Sequence, residues 1–373
     1  MKSKKDALLI ITNLYPLPWE PNRATFNRQQ FALLESEFDT SFIIPVAFIE
    51  WFKHRKSIKQ TDNIRYCPYF FTPKIGRRFY SIFMFISLMM HSFGWAKRKS
   101  PKKVLASWAF PDAVAAQKFS KRLKAQFYFK VHGSDIDIQC QHPERANQVV
   151  KASTFARGIL SVSQALAKKM VDFGVSERKI KVIYNGVNHE RFSKAHPRPI
   201  DKPYFLFIGN LKPDKGVMEL LEGFAQFGTS QQDYQLVFAG NGPMKATLTA
   251  RAKELGLSEQ VSLLGGINHS EVSQWLQHAT ALCLPSYHEG VPNVVLEAMA
   301  SGVPVIASNV GGIPEVVNES TCGKLIAIKS ADAVYLAMNH ISANDWSKAD
   351  IQEHAQQFSW EKNQQQLVEL LSQ

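Results

Sequence analysis

The sequence predicts an α/β protein of two domains, each built on a parallel sheet. The chain has 373 residues, which is longer than a single hydrophobic core usually spans. Short apolar segments alternate with helical stretches in both halves, which is the pattern of strands joined by crossover helices. The composition, with 45% hydrophobic and 20% charged residues, is typical of a globular protein and argues against long disordered regions.

The predicted strands are short apolar segments in each half of the chain. In the first half they read ALLIIT, TSFIIPVAF, KVLASW, QFYFKVHG, GILSVS and KVIYNGV. In the second half they read YFLFIGN, YQLVFAG, VSLLGG, ALCLPS, VPVIAS and GKLIAI. A proline-rich stretch, HPRPIDKP at 196–203, is predicted to be the linker between domains at 1–195 and 204–357. Residues 358–373 read as a terminal helix.

Charge is distributed unevenly between the two halves. Residues 1–200 carry 34 Lys and Arg against 14 Asp and Glu, a net charge of +20, whereas residues 201–373 carry 10 against 18, a net charge of −8. This asymmetry predicts a polyanionic partner for the first half. Nucleic acid is one alternative, but no nucleic-acid-binding motif stands out, so we expect none. The other is an anionic membrane surface, which predicts a cytoplasmic protein bound to the inner face of the membrane.

The cysteines and the N-terminus also bear on the compartment. Cys67, Cys140, Cys283 and Cys322 show neither CxxC nor His-paired spacing, so we interpret them as reduced thiols rather than as disulfides or zinc ligands. The apolar run ALLII near the N-terminus is too short for the core of a secretory signal, and it is expected to form the first buried strand.

Residues 77–99 hold an apolar, aromatic stretch between basic flanks. Arg77 and Arg78 precede FYSIFMFISLMMHSFGW, and a Lys-Arg-Lys run follows it. One interpretation is a buried or half-buried helix of the core, and the other is a helix that lies in the membrane interface. The basic segment WFKHRK at 51–56 favours the interface. The stretch is too short in consecutive apolar residues for us to expect a membrane span.

The segment Pro285–Ala307, PSYHEGVPNVVLEAMASGVPVIA, is predicted to form a loop, a helix and a strand. Glu289 lies in the loop, and Glu297 lies on the helix eight residues later. The first turn of that helix, near Val294, exposes backbone N–H groups at the positive end of the helix dipole, which suits a phosphate group. The spacing of the two glutamates alone is equally typical of an ordinary helical surface.

The combination of Pro-Ser, Glu-Gly-x-Pro-Asn, Glu-Ala-x-Ala and Gly-x-Pro-Val in this segment resembles the E-x7-E signature of retaining glycosyltransferase family 4. The resemblance implies two Rossmann-like domains facing across a cleft, the GT-B architecture, with the terminal helix packed on the first domain. It also implies a nucleotide-diphosphate sugar as donor, and neither a metal nor a cofactor. No Asp-x-Asp pair or His/Asp cluster with ligand spacing is present in the sequence.

The same resemblance extends to the turn Gly209–Gly216, which follows the strand YFLFI. It is similar to a family motif in which an arginine and a lysine bind the diphosphate. Lys215 matches the lysine, whereas Asn210 stands in place of the arginine, and Lys212 is the candidate substitute. Glu289 is expected to hold sugar hydroxyls and Glu297 the ribose. The donor-binding residues that the resemblance implies are Gly209, Asn210, Lys212, Lys215, Ile267, Gly290, Val291, Asn293, Val294 and Glu297.

In the first half the resemblance assigns one catalytic candidate and one loop. His132 ends the strand QFYFKV, and the family has a His-Gly there beside the donor sugar, so His132 joins Glu289 as an expected catalytic residue. Asp135, three residues later, is expected to cap a helix. Arg23 and Thr25 lie where the family has a glycine-rich loop over the diphosphate, and they are expected to contact the diphosphate or the acceptor.

The function implied is retaining transfer of a sugar to a glycan or a lipid-linked acceptor, as in the biosynthesis of a cell-surface polysaccharide. Two alternatives remain open. A nucleotide-sugar epimerase shares the double-Rossmann layout but needs acid and base carboxylates rather than an acceptor site. A non-catalytic protein that binds a polyanion or a membrane would explain the basic half and leave the donor motifs without a role.

Overall fold

The computed structural model describes residues 5–71, 76–228 and 231–373. The chain divides into two compact units. The N-terminal unit comprises Met1–Tyr184 and Asn363–Gln373, and the C-terminal unit comprises Asn185–Lys362. Each unit has a parallel sheet whose strands alternate with helices along the chain, which confirms the predicted α/β class with two Rossmann-like domains.

In the described residues, the sheet of the N-terminal unit has seven strands. They are β1 (Asp6–Ile11), β2 (Phe38–Ala47), β3 (Ile64–Tyr69), β4 (Lys103–Ser107), β5 (Gln126–Val131), β6 (Gly158–Ser161) and β7 (Ile180–Val182). They pair in parallel in the order β3-β2-β1-β4-β5-β6-β7. The chain order reverses between β1 and β4, so the carboxyl ends of these strands flank the crevice where open α/β sheets bind ligands.

The edge strand β3 is the one strand of this sheet that the sequence analysis missed. Its segment contains Arg65 and Pro68, which interrupt the apolar pattern. Proline has no N–H group to donate to a neighbouring strand, and it is tolerated here because β3 lies at the edge of the sheet.

The sheet of the C-terminal unit has six strands within the described part of the chain. They are β8 (Tyr204–Ile208), β9 (Gln235–Ala239), β10 (Val261–Gly265), β11 (Ala281–Leu284), β12 (Val305–Ser308) and β13 (Gly323–Ile326). They are parallel in the order β10-β9-β8-β11-β12-β13, so this sheet reverses direction between β8 and β11. All six were predicted as apolar segments.

Helices connect the strands in both units. Those of the N-terminal unit are α1 (Thr25–Leu34), α2 (Phe48–His54), α3 (Tyr80–Lys99), α4 (Val114–Leu123), α5 (Ser134–Asp137), α6 (Pro143–Phe155) and α7 (Gln164–Asp172). Those of the C-terminal unit are α8 (His189–Ser193), α9 (Val217–Gly228), α10 (Lys245–Glu254), α11 (His269–Gln277), α12 (Asn293–Ala300), α13 (Ile313–Val316), α14 (Ala331–Ala343) and α15 (Lys348–Ala355). The last helix is α16 (Trp360–Ser372).

The N-terminal sheet is buried on both faces. On one face α3, α4 and α6 pack against it in a core that includes Met84, Phe119 and Val149. On the other face α1 and the end of α16 contribute to a core with Leu8 and Leu105; the contributing residues of α16 are Leu367, Leu370 and Leu371. The apolar segments of the strands are nearly continuous because both of their faces are covered.

The division between the units falls at Tyr184, before the predicted boundary at 195. The reason is that α8 packs on α11 and α12 of the C-terminal unit. The proline-rich stretch predicted as a linker also belongs to this unit, because the His196 N–H donates to Gln277 Oε1 over 3.2 Å. The far end of the boundary lies inside α16, whose residues from Asn363 onward belong to the N-terminal unit.

Helix α3 combines the two interpretations that the sequence left open. Tyr80, Met84 and Leu88 are buried in the core of the N-terminal unit, whereas Ile86 and Met90 are 48% and 74% exposed. Within the described residues, one helix, Arg77–Lys99, is long and apolar enough to cross a bilayer by length and composition, and 44% of its apolar window is buried. One face of α3 is therefore core, and the other is an apolar surface.

Candidate functional site

Two predicted site residues of the C-terminal unit lie in the segments that follow β8 and β11. These strands are neighbours, and the strand order of the sheet reverses between them. Lys215 ends a short 3₁₀ turn, Pro213–Lys215, and Glu289 lies in the loop after β11. Lys215 Nζ donates to Glu289 Oε1 over 2.5 Å, and both side chains are mostly buried, at 23% and 13% exposure. The structure thus brings together two predicted site residues that are 74 positions apart.

Close backbone packing makes this pairing possible. Gly216 has a φ of +65°, and a Cβ atom there would lie 2.1 Å from the carbonyl oxygen of Pro285. Next to it, the Tyr287 N–H donates to the Asp214 carbonyl over 2.8 Å. A side chain at Gly216 would push the two loops apart, so glycine at this position sets the distance between Lys215 and Glu289.

A second glycine fixes the loop that carries Glu289 from the other side. Gly311 has a φ of +56°, and a Cβ atom there would lie 1.7 Å from the Glu289 carbonyl oxygen. The Gly312 N–H donates to the Gly290 carbonyl over 2.7 Å. The loop after β12 therefore holds Glu289 and Gly290 in place.

Helix α12 begins beside this loop without a side-chain cap. Its N-cap is Pro292, whose side chain has no hydrogen-bonding atom, and no acidic residue lies in the first turn. Asn293 Oδ1 instead accepts a hydrogen bond from Asn185 Nδ2 over 2.9 Å. The Val295 N–H donates to the Pro292 carbonyl over 3.1 Å, whereas the N–H groups of Asn293 and Val294 precede any intrahelical acceptor and can bind an anion.

Glu297 lies one turn further along α12 and is largely enclosed by protein. Burial raises the pKa of Glu297 from 4.5 to about 7, and the positive charge of Arg191 partly offsets this rise. Arg191, on α8, also donates to the His269 carbonyl. Glu297 can therefore change its ionisation near neutral pH when a hydrogen-bond donor binds to it.

The remaining predicted residues of this unit lie around the same edge of the sheet. Gly209 follows β8, and its N–H donates to the Ala239 carbonyl at the end of β9 over 3.1 Å. Asn210 and Lys212 are exposed, and Ile267 follows β10. Gly290 and Val291 are buried in the loop between β11 and α12. Lys215 is thus held by a partner, whereas Lys212 projects into solvent.

In the N-terminal unit, His132 follows β5 and sits beside the end of β4. His132 Nε2 lies 2.8 Å from Ser107 Oγ, and the Ser107 hydroxyl lies 3.3 Å from Asn27 Oδ1. Asn27 Nδ2 donates to the Leu14 carbonyl over 2.9 Å. The four residues form one chain of hydrogen bonds, which links α1 to the carboxyl ends of β4 and β5.

The direction of this chain sets the tautomer of His132. A carbonyl only accepts, so the amide of Asn27 must point its Nδ2 at Leu14 and its Oδ1 at Ser107. The Ser107 hydroxyl then donates to Asn27 and accepts from His132, so the proton of the ring lies on Nε2. Burial and the nearby Lys130 hold the pKa of His132 well below its usual range. The ring is therefore neutral, with a free lone pair on Nδ1.

Asp135 has a different role from the predicted helix cap. Its carboxylate accepts hydrogen bonds from the backbone N–H groups of His132, Gly133 and Ala109, over 3.0, 2.9 and 2.8 Å. The N-cap of α5 is Gly133, with no side-chain cap. Asp135 thus binds the end of β5 to the turn after β4, because the strand ends leave these N–H groups without sheet partners.

A buried lysine on β5 escaped the sequence analysis. Lys130 is 1% exposed, and its Nζ donates to Gln30 Oε1 over 2.8 Å, while Gln30 Nε2 donates to Asn363 Oδ1 over 2.7 Å. Burial lowers the pKa of Lys130 to about 7. The sequence could have indicated this site, because a charged residue within the apolar segment QFYFKV is unusual.

The loop before α1 contains Arg23 and Thr25, the other predicted residues of this unit. Arg23 Nη1 pairs with Glu20 Oε2 over 3.0 Å, and its Nη2 donates to the Asn13 carbonyl over 3.1 Å. Thr25 begins α1. Ala24, between them, has a φ of +46°, which is the left-handed conformation that glycine adopts readily. This conformation is unfavourable for a residue with a side chain, so the backbone at Ala24 is strained where α1 begins.

The described residues contain no candidate metal site. In residues 5–71, 76–228 and 231–373, no three His, Cys, Asp or Glu side chains come together as a metal site would require.

Comparisons with known proteins match both units to glycosyltransferase families. The family described as "Glycosyl transferases group 1" matches residues 188–358, and the one described as "Glycosyltransferase Family 4" matches residues 48–191. A putative teichuronic acid biosynthesis glycosyltransferase, TuaC of Bacillus subtilis, is 28% identical over 353 residues, covering 88% of this chain and 87% of that protein. The N-acetyl-alpha-D-glucosaminyl L-malate synthase of Bacillus anthracis is 26% identical, covering 68% and 70%.

Solved structures share the fold at lower identity. The Anabaena protein Alr3699/HepE in complex with UDP has a TM-score of 0.75 at 17% identity, covering 98% of this chain and 99% of that one. The sucrose-phosphate synthase of Thermosynechococcus elongatus has a TM-score of 0.77 at 18% identity, covering 99% and 98%. The predicted GT-B fold is thereby confirmed.

Proposed function

Because the chain belongs to glycosyltransferase family 4, we propose that it transfers a sugar from a nucleoside diphosphate sugar to a hydroxyl of a glycan or lipid-linked acceptor, with retention of anomeric configuration. The observation that carries the proposal is the mostly buried Lys215–Glu289 pair beside the uncapped start of α12. This cluster offers a cation and free N–H groups to a diphosphate and a carboxylate to a neutral sugar.

The diphosphate would lie between Lys215 and the first turn of α12. A charged ammonium group and oriented N–H groups stabilise negative charge that develops on a leaving phosphate, and they need little rearrangement to do so. As the phosphate takes up the hydrogen bonds of Lys215, Glu289 is released to accept hydrogen bonds from sugar hydroxyls. Its charge also lies on the side where positive charge develops at the anomeric carbon.

Glu297 is proposed to accept hydrogen bonds from the ribose hydroxyls. With a pKa of about 7, the Glu297 carboxyl is about half protonated near neutral pH, and hydrogen-bond donors that bind it favour the ionised form. His132, with its lone pair on Nδ1, is proposed to accept a hydrogen bond from a sugar hydroxyl.

The proposed reaction proceeds by attack on the face that the diphosphate leaves. The acceptor oxygen forms a bond to the anomeric carbon as the bond from that carbon to the phosphate oxygen breaks. The acceptor proton passes to the departing phosphate, so no protein side chain becomes glycosylated and charge is conserved. Similarity to the family supports a reaction without a metal or cofactor, as the sequence predicts.

The acceptor class is proposed from the relatives. The TuaC name refers to teichuronic acid biosynthesis, and several structural neighbours are named as complexes with UDP or UDP-glucose. We therefore propose a UDP-sugar donor, a role in building a cell-surface polysaccharide, and action at the cytoplasmic side of the membrane, where nucleotide sugars are made.

A donor panel read by mass spectrometry tests the proposal. Purified protein is incubated with a set of UDP-, GDP- and ADP-sugars, and free nucleotide and sugar products are quantified. Transfer or slow hydrolysis of one donor, lost in Glu289→Gln and retained in the exposed control Glu259→Gln, is the expected result. Isomerisation without nucleotide release would identify an epimerase, and no turnover or binding of any donor would overturn an enzymatic role.

A further inference from the structure

The N-terminal unit has a large apolar surface formed by two helices and the end of a strand. On α2, Phe48, Ile49 and Phe52 are 48%, 61% and 54% exposed. On α3, the exposed residues Ile82, Ile86 and Met90 recur every four positions, which places them in one stripe about 12 Å long. Phe70, at the end of β3, and Phe79, just before α3, extend the surface. We call these eight residues the apolar patch.

Four members of the patch, Phe48, Phe70, Ile86 and Met90, line one groove. A groove of about 430 Å³ runs between α2 and α3, and its walls include Phe48, Trp51, Phe70, Ile86 and Met90. The rings of Phe70 and Phe83, which both line this groove, meet edge to face with their centroids 5.3 Å apart. Soluble monomers rarely expose connected apolar surfaces of this extent unless something binds there.

Positive charge surrounds the patch. Residues 48–71 and 76–99 carry ten Lys and Arg but only two Asp and Glu. Arg55 lies 4.1 Å above the exposed ring of Phe52, and Arg78 lies 4.7 Å above the ring of Phe79. These stacked pairs hold a cation at the rim of the patch and an apolar ring next to it.

From this arrangement we infer that the apolar patch docks on an anionic lipid bilayer, with α2 and α3 lying in the interface. Aromatic and aliphatic side chains would enter the boundary between headgroups and acyl chains, and the rim cations would contact lipid phosphates. A second copy of this chain fits poorly, because two basic rims would face each other. The inference goes beyond sugar transfer and requires no donor, so its failure would argue against the proposed place of action but leave the proposed sugar transfer intact.

The burial of the side chains of α3 decides which of them a test should replace. Phe83 and Phe85 on α3 are partly buried against the core, so their replacement would disturb the fold. Ile82, Ile86 and Met90 project from the other face of the same helix. Their replacement by serine removes apolar area from the patch and leaves the packed face of α3 unchanged.

The experiment measures binding of the full-length protein to vesicles containing phosphatidylglycerol, by sedimentation across a salt series. Binding of the wild type should fall with salt, because rim charges are screened over about 8–10 Å, and a fraction should persist through the apolar contacts. Ile82→Ser/Ile86→Ser/Met90→Ser should lose the persistent fraction and bind more than about tenfold more weakly. Lys53→Glu/Arg55→Glu/Lys56→Glu should lose the salt-dependent part.

Matched controls come from the C-terminal unit. Leu264→Ser/Ile328→Ser/Leu336→Ser removes three exposed apolar side chains, and Lys194→Glu/Lys245→Glu/Lys253→Glu reverses three exposed charges. Both should bind vesicles as the wild type does, and circular dichroism should show all variants folded. The inference is overturned if the wild type ignores the vesicles at low salt, or if patch and control variants bind alike. It is also overturned if sedimentation shows a dimer that the patch variant abolishes.

Discussion

The two units hold their site residues by different physical means. In the C-terminal unit, glycines let the loops after β8, β11 and β12 touch through their backbones, and Lys215 and Glu289 meet as a result. In the N-terminal unit, the ring of His132 is held by a network of side chains, through Ser107 and Asn27. Backbone contact requires particular residues at fixed spacing and leaves a motif in the sequence. A side-chain network can use residues far apart along the chain and leaves none.

The largest effect should come from breaking the backbone contact in the C-terminal unit. Gly216→Ala would place a Cβ atom 2.1 Å from the Pro285 carbonyl, so the Lys215–Glu289 pair should separate and donor turnover should fall by more than about a hundredfold, equivalent to about 3 kcal/mol. Gly256→Ala is the matched control, because Gly256 also has a positive φ, +72°, but has open space around it. It should cost about 1–2 kcal/mol of stability and leave turnover intact. Equal kinetics for the two variants would contradict the role of the contact.

Removing the cation of this unit should have the next largest effect. Lys215→Ala eliminates a charge-assisted contact to the diphosphate of about 1.5–3 kcal/mol, or about ten- to a hundredfold in affinity for the donor. Isothermal titration with UDP and UDP-sugar measures it, and Lys245→Ala, an exposed lysine of the same unit, is the control. The same titration of Lys212→Ala examines whether this exposed lysine replaces the arginine absent at Asn210. An unchanged affinity of Lys215→Ala for the donor would show that Lys215 does not bind the diphosphate.

The raised pKa of Glu297 predicts how the stability of the folded protein depends on pH. Its pKa is about 7 in the folded protein against 4.5 for a free side chain, so the folded state retains a proton that the unfolded state loses. Stability should fall as the pH rises from about 4.5 to 7 and should then level off. Glu297→Gln removes this penalty, so relative to the wild type it should gain about 1–3 kcal/mol at pH 8 and little at pH 4.

Thermal unfolding at both pH values measures the gain, with Glu259→Gln as the control. Affinity of the wild type for UDP should rise through the same pH range if ribose hydroxyls bind the carboxylate, and the variant should lose this rise. A pH-independent difference in stability would show that Glu297 is not the titrating group.

The side-chain network of the N-terminal unit should tolerate change best. Ser107→Ala removes the acceptor of the His132 Nε2 proton, so the ring should populate both tautomers and kcat should fall by about tenfold. Nitrogen NMR of labelled histidine reports the tautomer directly. Ser107→Thr should restore both the tautomer and most of the rate, and Ser153→Ala, at another buried serine, should change neither. A fall in kcat with the tautomer unchanged would assign Ser107 a packing role only.

The contrast explains what the sequence could predict. The strands are apolar because both faces are covered, and all of them except the proline-containing edge strand β3 were recognisable. Lys215 and Glu289 lie in motifs because glycines flank them. The pairing of Asn27 with Ser107, and that of Lys130 with Gln30, joins residues separated by 80 and 100 positions. No local pattern reports such pairs, and Asp135 was misassigned as a cap because its backbone partners lie on two different loops.

The helix α16 has a consequence for how the protein is made. The core of the N-terminal unit includes Leu367, Leu370 and Leu371, which follow the entire C-terminal unit in the chain. On the ribosome, the C-terminal unit is contiguous and can fold as it emerges, whereas the first half must wait with an apolar face of its sheet uncovered. Until these last residues are made, Leu8, Leu105 and Tyr128 lack the three leucines that pack with them in the finished core.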